Sequence, residues 1–192
     1  MQFVSYYESP IGRILMASDD IGLFGLWMEG QRYYAIHFSG EYEERETDVL
    51  RETKKWLDTY FERKDPGVPP PLHIIGSRFY EAVSEAMLTI PYGKTMTYGE
   101  IAEILTQKTG KRASARAVGG AVGHNEISII VPCHRVVGKG GNLTGYGGGM
   151  ERKIWLLESE GIDLSSFYLP KKGIFASRLD IVPSELQNRH ND

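Results

Sequence analysis

Residues 97–105 read Thr-Tyr-Gly-Glu-Ile-Ala-Glu-Ile-Leu. The Thr97 side chain can accept from the Glu100 amide while Glu100 reaches back to the Thr97 amide, a reciprocal pair that starts a helix. The helix it opens has Ile101, Ile104 and Leu105 to bury. A polar turn follows over 107–111, then a second short helix is expected over Ala113–Val122, built almost wholly of small residues. Two helices joined by a short turn resemble a helix-turn-helix. The local charge suits that reading although the whole chain carries −3. Between 106 and 140 stand six basic residues (Lys108, Lys111, Arg112, Arg116, Arg135, Lys139) and one acid, Glu126. Residues 1–75 hold 8 Lys/Arg against 13 Asp/Glu (net −5), and residues 76–148 hold 8 against 5 (net +3). Such an excess can form a footprint for phosphates, although a charge run is also what a solvated face looks like.

Outward from this centre, Arg78–Leu88 has helical spacing, with Phe79, Val83, Ala86 and Met87 on one face, and Pro91-Tyr92-Gly93 closes it. The N-terminal third reads as a strand meander. Gln2–Tyr7, Arg13–Ala17 and Leu23–Met28 are strands separated by the turn signals Ser9-Pro10-Ile11-Gly12 and Asp19-Asp20-Ile21-Gly22. Glu43–Phe61 is expected to be a helix, with Val49, Leu50, Thr53, Trp56, Leu57, Tyr60 and Phe61 on its stripe. The Pro-rich run over 65–71 breaks it and marks a boundary. Glu151–Glu160 is the last helix, stopped by Gly161. The expected organisation is α+β: an N-terminal α/β domain over 1–75, a helical C-terminal domain over 76–165 and a loosely attached tail over 166–192. No apolar run of about 18 residues predicts a membrane span, and the start lacks the pattern of a secretory signal. The single cysteine allows no internal disulfide and no multi-cysteine zinc site, so a reducing, cytoplasmic setting is expected.

The chemistry concentrates in Ile129-Ile130-Val131-Pro132-Cys133-His134-Arg135-Val136-Val137. A free thiol, with pKa about 8.5, is mostly protonated at neutral pH and needs a base or a positive field to become a nucleophile. His134 can be that base and Arg135 that field. Neighbours in a strand or helix rarely face one another, so contact between Cys133 and His134 requires a turn or a bridging water. A small buried thiol beside a hydrogen-bonded structural histidine is the plainer alternative.

Val131–Val137 matches the active-site signature of the O6-alkylguanine-DNA alkyltransferases. Pro91-Tyr92-Gly93-Lys94-Thr95-Met96-Thr97-Tyr98-Gly99-Glu100-Ile101-Ala102 resembles that family's helix-turn-helix entry. Arg116–Val122 followed by Asn125 resembles its recognition helix, and Gly145–Gly149 with Lys153, Trp155–Leu157 and Glu160-Gly161 resembles its pocket loop and closing helix. The resemblance covers about residues 78–161 and is looser over 1–75. It implies a ribonuclease H-like N-terminal sheet with a helix and a winged-helix C-terminal domain. It implies DNA repair by irreversible transfer of an alkyl group from O6-alkylguanine in duplex DNA to Cys133, with the base flipped out of the stack.

The implied roles are a Cys133–water–His134–Glu160 relay braced by Asn125, with Tyr98 as proton donor toward guanine. Arg116 intercalates from a helix laid in the minor groove. Gly99, Ser114, Ala115 and Lys139 are DNA-contact candidates, and Val136, Tyr146, Gly147 and Gly148 line the guanine pocket. No cofactor and no metal are implied, and a monomer working on nucleoid DNA is expected. Two adjacent glycines cost a helix about 1 kcal/mol each, so Gly119 and Gly120 need an offset: close helix packing, or close approach of DNA. Ser84 stands where many members have Trp, and Gly147 where many have Ser. Two rivals keep their place at this point. One is a non-enzymatic binder of alkylated bases, which would have replaced the nucleophile. The other is a cysteine hydrolase using Cys133 and His134, which leaves the Arg116 segment without a use.

Overall fold

The computed structural model describes residues 1–35, 38 and 40–169. Strands β1 (Gln2–Ser9), β2 (Gly12–Ser18) and β3 (Leu23–Met28) form the antiparallel meander. The sheet order is β3-β2-β1-β4, and β4 (Tyr42–Glu44) runs parallel to β1 at its edge. Gly12 turns the first hairpin with φ +106°, a conformation that favours glycine.

Strands β2 and β3 are buried on both faces. Ile14, Met16, Leu26 and Met28 point into the main core, and Leu15, Ala17, Phe24 and Trp27 point into a smaller core on the opposite side. Strict alternation along β3 would put Leu26 on the same side as Phe24. A register shift at Ala17/Ser18, where Ala17 pairs Gly25 and Ser18 pairs Leu23, resets the phase. Gly25 is required there, because a Cβ would fall inside the Trp27 ring.

Helix α1 (Asp48–Phe61) packs on β1 and β2. It starts five residues later than the expected Glu43. Thr47 is its N-cap, accepting from the Leu50 amide at 3.3 Å and bonded to Ser18 Oγ at 3.0 Å. The acidic residues ahead of it pair with β1 instead, since the apolar stripe begins only at Val49.

In the C-terminal half, α2 (Arg78–Leu88), α3 (Tyr98–Thr109) and α4 (Ala115–Gly123) pack against one another. The capping box at Thr97 and Glu100 is present in both directions. Helix α4 begins two residues after the expected Ala113, because the Ser114 side chain caps it through the Ala117 amide at 3.2 Å. The Ala113 amide instead donates to Thr106 Oγ1 at 3.0 Å. Short strands β5 (Met96–Thr97) and β6 (Val136–Val137) pair in parallel, and α5 (Met150–Ser159) closes the domain. Residues 166–169, expected in the loose tail, are docked. Leu143 N–H donates to Tyr168 C=O at 2.8 Å, and Leu169 is buried with Leu143, Leu157 and Leu164. The rest of that tail lies outside the described residues.

The main core runs without a break from Leu26, Leu50, Leu57 and Tyr60 to Val83, Met87, Ile101, Ile129 and Val136. Both partners along the free edge of β3 come from beyond the sheet. Leu23 bonds the segment at Pro71–His73, and Leu26 bonds Glu126 and Ser128, with amide–carbonyl distances of 2.8 and 2.9 Å. The approach to Cys133 is thereby stitched to the N-terminal sheet. Gly25→Ala is expected to destabilise the protein by at least about 2 kcal/mol through overpacking against Trp27. Urea unfolding checks this, and an unchanged midpoint would refute it.

Candidate active site

Two three-residue turns deliver the thiol. Ile130 N–H donates to Ser128 C=O at 2.8 Å across Ile129, whose φ is +69°. A β-branched residue in that region is strained and is held there by its surroundings. Cys133 N–H then donates to Val131 C=O at 2.8 Å across Pro132 (φ −82°, ψ 63°), an inverse γ-turn. Asn125 ties the two turns together. Its Nδ2 donates to Val131 C=O at 2.8 Å, to Ile127 C=O at 3.3 Å and to Cys133 Sγ at 2.9 Å, and its Oδ1 accepts from the Ile127 amide at 3.2 Å.

Cys133–Arg135 is a single 3₁₀ turn, so the thiol and the imidazole face different partners. Cys133 is 6% exposed. Burial pushes its thiol above the ordinary value, and the Asn125 bond and the Lys153 cation only partly offset this. At rest the sulfur is therefore protonated. His134 Nε2 lies 2.6 Å from Glu160 Oε1, while Nδ1 is buried with no hydrogen-bond partner among the described residues. Burial pulls the imidazole below its ordinary range despite Glu160. A carboxylate only accepts, so the Nε2 proton points at Glu160 and Nδ1 keeps a lone pair, a tautomer assigned from the hydrogen bonds.

Glu160 stands at the C-cap of α5 and is buried. It accepts from His134, from Tyr60 Oη at 2.7 Å, from Arg135 Nε at 2.9 Å and Nη2 at 3.1 Å, and from the Gly93 amide at 3.0 Å. Burial alone would raise its carboxyl, but the bonds and charges of His134 and Arg135 outweigh it and hold it at about 2. Lys153 is fully buried, donating to Val136 C=O at 2.6 Å and Thr144 C=O at 3.0 Å, and burial lowers it to about 8. With Lys153 and Arg135 charged against Glu160, the cluster carries one excess positive charge. A Cys133 thiolate would cancel it.

Beside this cluster opens a cleft of about 960 Å³. Of the residues singled out in the sequence, Tyr98, Gly99, Ala115, Arg116, Lys139, Tyr146 and Gly147 line it. Arg116 and Lys139 are both exposed. Ser114 is the α4 cap, while Val136 is buried in β6 and Gly148 packs on Met28 and Tyr146, so these three do not face the cleft. Cys133 lies within electrostatic reach of Tyr98 and Tyr146, both of whose phenols burial pushes up.

Sequence reasoning left out several contributors. Tyr60 figured only as part of a helical stripe. Arg32, Tyr33 and His124 line the cleft too, with Tyr33 (φ +58°) stacked on the His124 ring at 4.1 Å and Arg32 N–H donating to Gly147 C=O at 2.8 Å. Trp27 Nε1 donates to Glu126 Oε2 at 2.9 Å in the interior. No local pattern reports contacts that span this much sequence. A positive-φ tyrosine has no signature either.

Residues 78–162 match the family described as the DNA binding domain of 6-O-methylguanine DNA methyltransferase, and residues 3–69 match its ribonuclease-like domain. The chain is 42% identical over 153 residues to a methylated-DNA–protein-cysteine methyltransferase of Mycobacterium leprae, covering 80% of this chain and 88% of that one. The Mycobacterium tuberculosis O6-methylguanine methyltransferase crystal structure superposes with a TM-score of 0.69 at 40% identity, covering 83% of this chain and 93% of that one. The Mycobacterium tuberculosis OGT solved in complex with DNA gives 0.70 at 40% identity, covering 82% and 92%.

The Glu160 carboxyl sits near 2 in the folded state and near 4.5 otherwise. Its stabilisation is therefore complete above the unfolded value and is lost as pH falls toward 2. Glu160→Gln is expected to cost about 3 kcal/mol at pH 7, with the gap to wild type closing between about pH 5 and 2. Chemical denaturation across that pH range checks the sign and the window.

Proposed function

We propose a residue-level account of the reaction from one premise: the chain belongs to the 6-O-methylguanine DNA methyltransferase family. It is a methylated-DNA–protein-cysteine methyltransferase that repairs DNA by transferring an alkyl group to itself. The observation that carries the assignment of roles is the buried Cys133 thiol, bonded by Asn125 and adjoining a His134–Glu160 pair beside a cleft edged by α4.

The substrate is O6-alkylguanine in duplex DNA, flipped into the cleft at a cost of a few kcal/mol. His134 takes the Cys133 proton at Nδ1 through a bridging water. Glu160, already ionised, holds the ring and stabilises the imidazolium, the order of roles found in nucleophile–base–orienter sets. Sγ forms a bond to the alkyl carbon as the carbon–O6 bond breaks. Tyr98, kept protonated by burial, gives its proton so that guanine departs neutral. The proton gained by His134 balances the one lost by Tyr98. A thioether does not hydrolyse, so each molecule reacts once.

Arg116 fills the space left by the flipped base, and the N-terminal turn of α4 lies in the minor groove. The protein works as a monomer in the cytoplasm, on nucleoid DNA. Supporting this, the Cys133, Asn125, His134 and Glu160 set is complete within one chain, and the thiol must stay reduced to react. A non-enzymatic binder of alkylated bases would not retain a nucleophile held in this way.

Incubation with duplex DNA carrying O6-methylguanine is expected to add one methyl to the intact mass, mapped to Cys133 and absent in Cys133→Ala. Lesion binding with no mass gain would sink the assignment. Arg116→Ala is expected to slow repair of duplex DNA by roughly tenfold to a hundredfold, the scale of lost support for base flipping. Its reaction with free O6-benzylguanine should be nearly unchanged. Equal losses on both substrates would remove the intercalation role.

A further inference from the structure

We propose that Tyr60, from helix α1 of the N-terminal half, is a positioning residue for alkyl transfer: its phenol shares the Glu160 Oε1 acceptor with His134 and so sets the orientation and basicity of the imidazole. The proposal rests on His134 being the base that relieves Cys133 of its proton.

Three donors meet at Oε1, and Arg135 Nη2, at 3.1 Å, is the farthest of them. Tyr60 O–H reaches Glu160 Oε1 at 2.7 Å and His134 Nε2–H reaches it at 2.6 Å, with the phenol oxygen 3.3 Å from Nε2. The other carboxylate oxygen is taken by Arg135 Nε and the Gly93 amide. The short Tyr60 bond to Oε1, added to that of Arg135 Nη2, withdraws electron density from this oxygen and weakens its pull on the imidazolium proton. The phenol itself is rigidly held. Its ring stacks on Trp56 at 5.6 Å and 7°, and its edge contacts reach Tyr92 and the His134 ring at 6.1 and 6.3 Å. Tyr60 is fully buried, and burial with the Glu160 charge keeps its hydroxyl protonated, so it donates at every working pH.

His134 is fully buried, and its Nδ1 has no hydrogen-bond partner among the described residues, so its polar restraint there is the Glu160 bond, with the Tyr60 ring edge packed beside it. The titratable and charged groups around it are Glu160, Arg135, Lys153, Cys133, Tyr60 and Tyr146. Of these, Tyr60 is the neutral donor whose hydroxyl can be removed while its ring stays in place.

Without the phenol, Oε1 would bind the imidazolium more tightly and His134 would become more basic. The neutral imidazole is the reactive form, so the acid limb of the rate should move to higher pH. The test uses full-length protein, Tyr60→Phe and free O6-benzylguanine, following Cys133 benzylation by mass from pH 5 to 9. The expected result is a limb displaced upward by roughly half a unit to one unit, what one hydrogen bond to a charged group is worth. The rate should fall several-fold on the acid limb itself and much less above pH 8. A purely structural role would lower the rate by one factor at all pH values, and a limb at the wild-type position overturns the proposal. His134→Gln keeps the foundation separate. Loss of the limb in that variant supports His134 as the base, whereas a wild-type profile removes that reading, and the proposal with it, whatever Tyr60→Phe does.

Discussion

One buried carboxylate organises the molecule. An ionised group in an apolar interior is tolerated only if its lone pairs are filled and its charge is matched. Glu160 meets that requirement with four donor residues from three places in the chain: Tyr60 in α1, Gly93 ahead of β5, and His134 and Arg135 in the 3₁₀ turn. Arg135 supplies the countercharge and spends a further donor on Ile90 C=O at 2.8 Å. Each of these segments must arrive for the charge to be satisfied. The carboxylate therefore fixes the mutual placement of α1, the loop before the helix-turn-helix and the nucleophile turn. The same arrangement leaves Nδ1 of His134 with a lone pair facing away from Glu160, as a proton acceptor requires.

A second constraint works from the other side of the thiol. The edge of β3 continues into Glu126–Ser128, and Asn125 stands at the start of that stitch. Its side chain then spans both tight turns to reach Sγ. The positive φ of Ile129 is affordable because backbone bonds on one side and the buried core on the other leave the segment no alternative. The N-terminal half is thus part of the site: it supplies the edge that positions Asn125 and the phenol that meets Glu160.

Local signals were readable in the sequence, and distant ones were not. Thr97 and Glu100 announced a helix start because both partners of a capping box lie within one turn. The strands of the meander showed in their apolar runs and glycine turns. The helix expected from Glu43 failed because helical spacing constrains only its apolar stripe, which begins at Val49, while pairing of Tyr42–Glu44 with β1 is a tertiary event. Cys133 and His134 stood out as an adjacent thiol and imidazole, but adjacency does not say which way either points, and Glu160 was picked out only by resemblance. Tyr60 lay on a predicted stripe with six other residues, and only the fold brings its hydroxyl to an acid a hundred positions away.

The space around helix α4 bears on what its glycines are for. Within a helix each costs about 1 kcal/mol relative to alanine, and tight packing against another helix was one way to offset that. The packing explanation fails on the space around them. A Cβ at Gly119 would meet the Tyr98 ring at an ordinary 3.7 Å, and at Gly120 and Gly123 it would meet nothing within 4 Å. No protein atom needs the room. The room is on the outer face, with Ala115, Arg116 and Ala117 exposed beside it and Val118 and Val122 turned into the core. A helix that accepts a loss of intrinsic stability to keep its solvent face bare, with a single long cationic side chain projecting from it, is shaped for a surface that approaches from outside. In a chain whose family acts on DNA, such a bare face fits the proposed docking of α4 in a groove, where side-chain bulk would keep Arg116 and the cleft behind it from reaching the base stack.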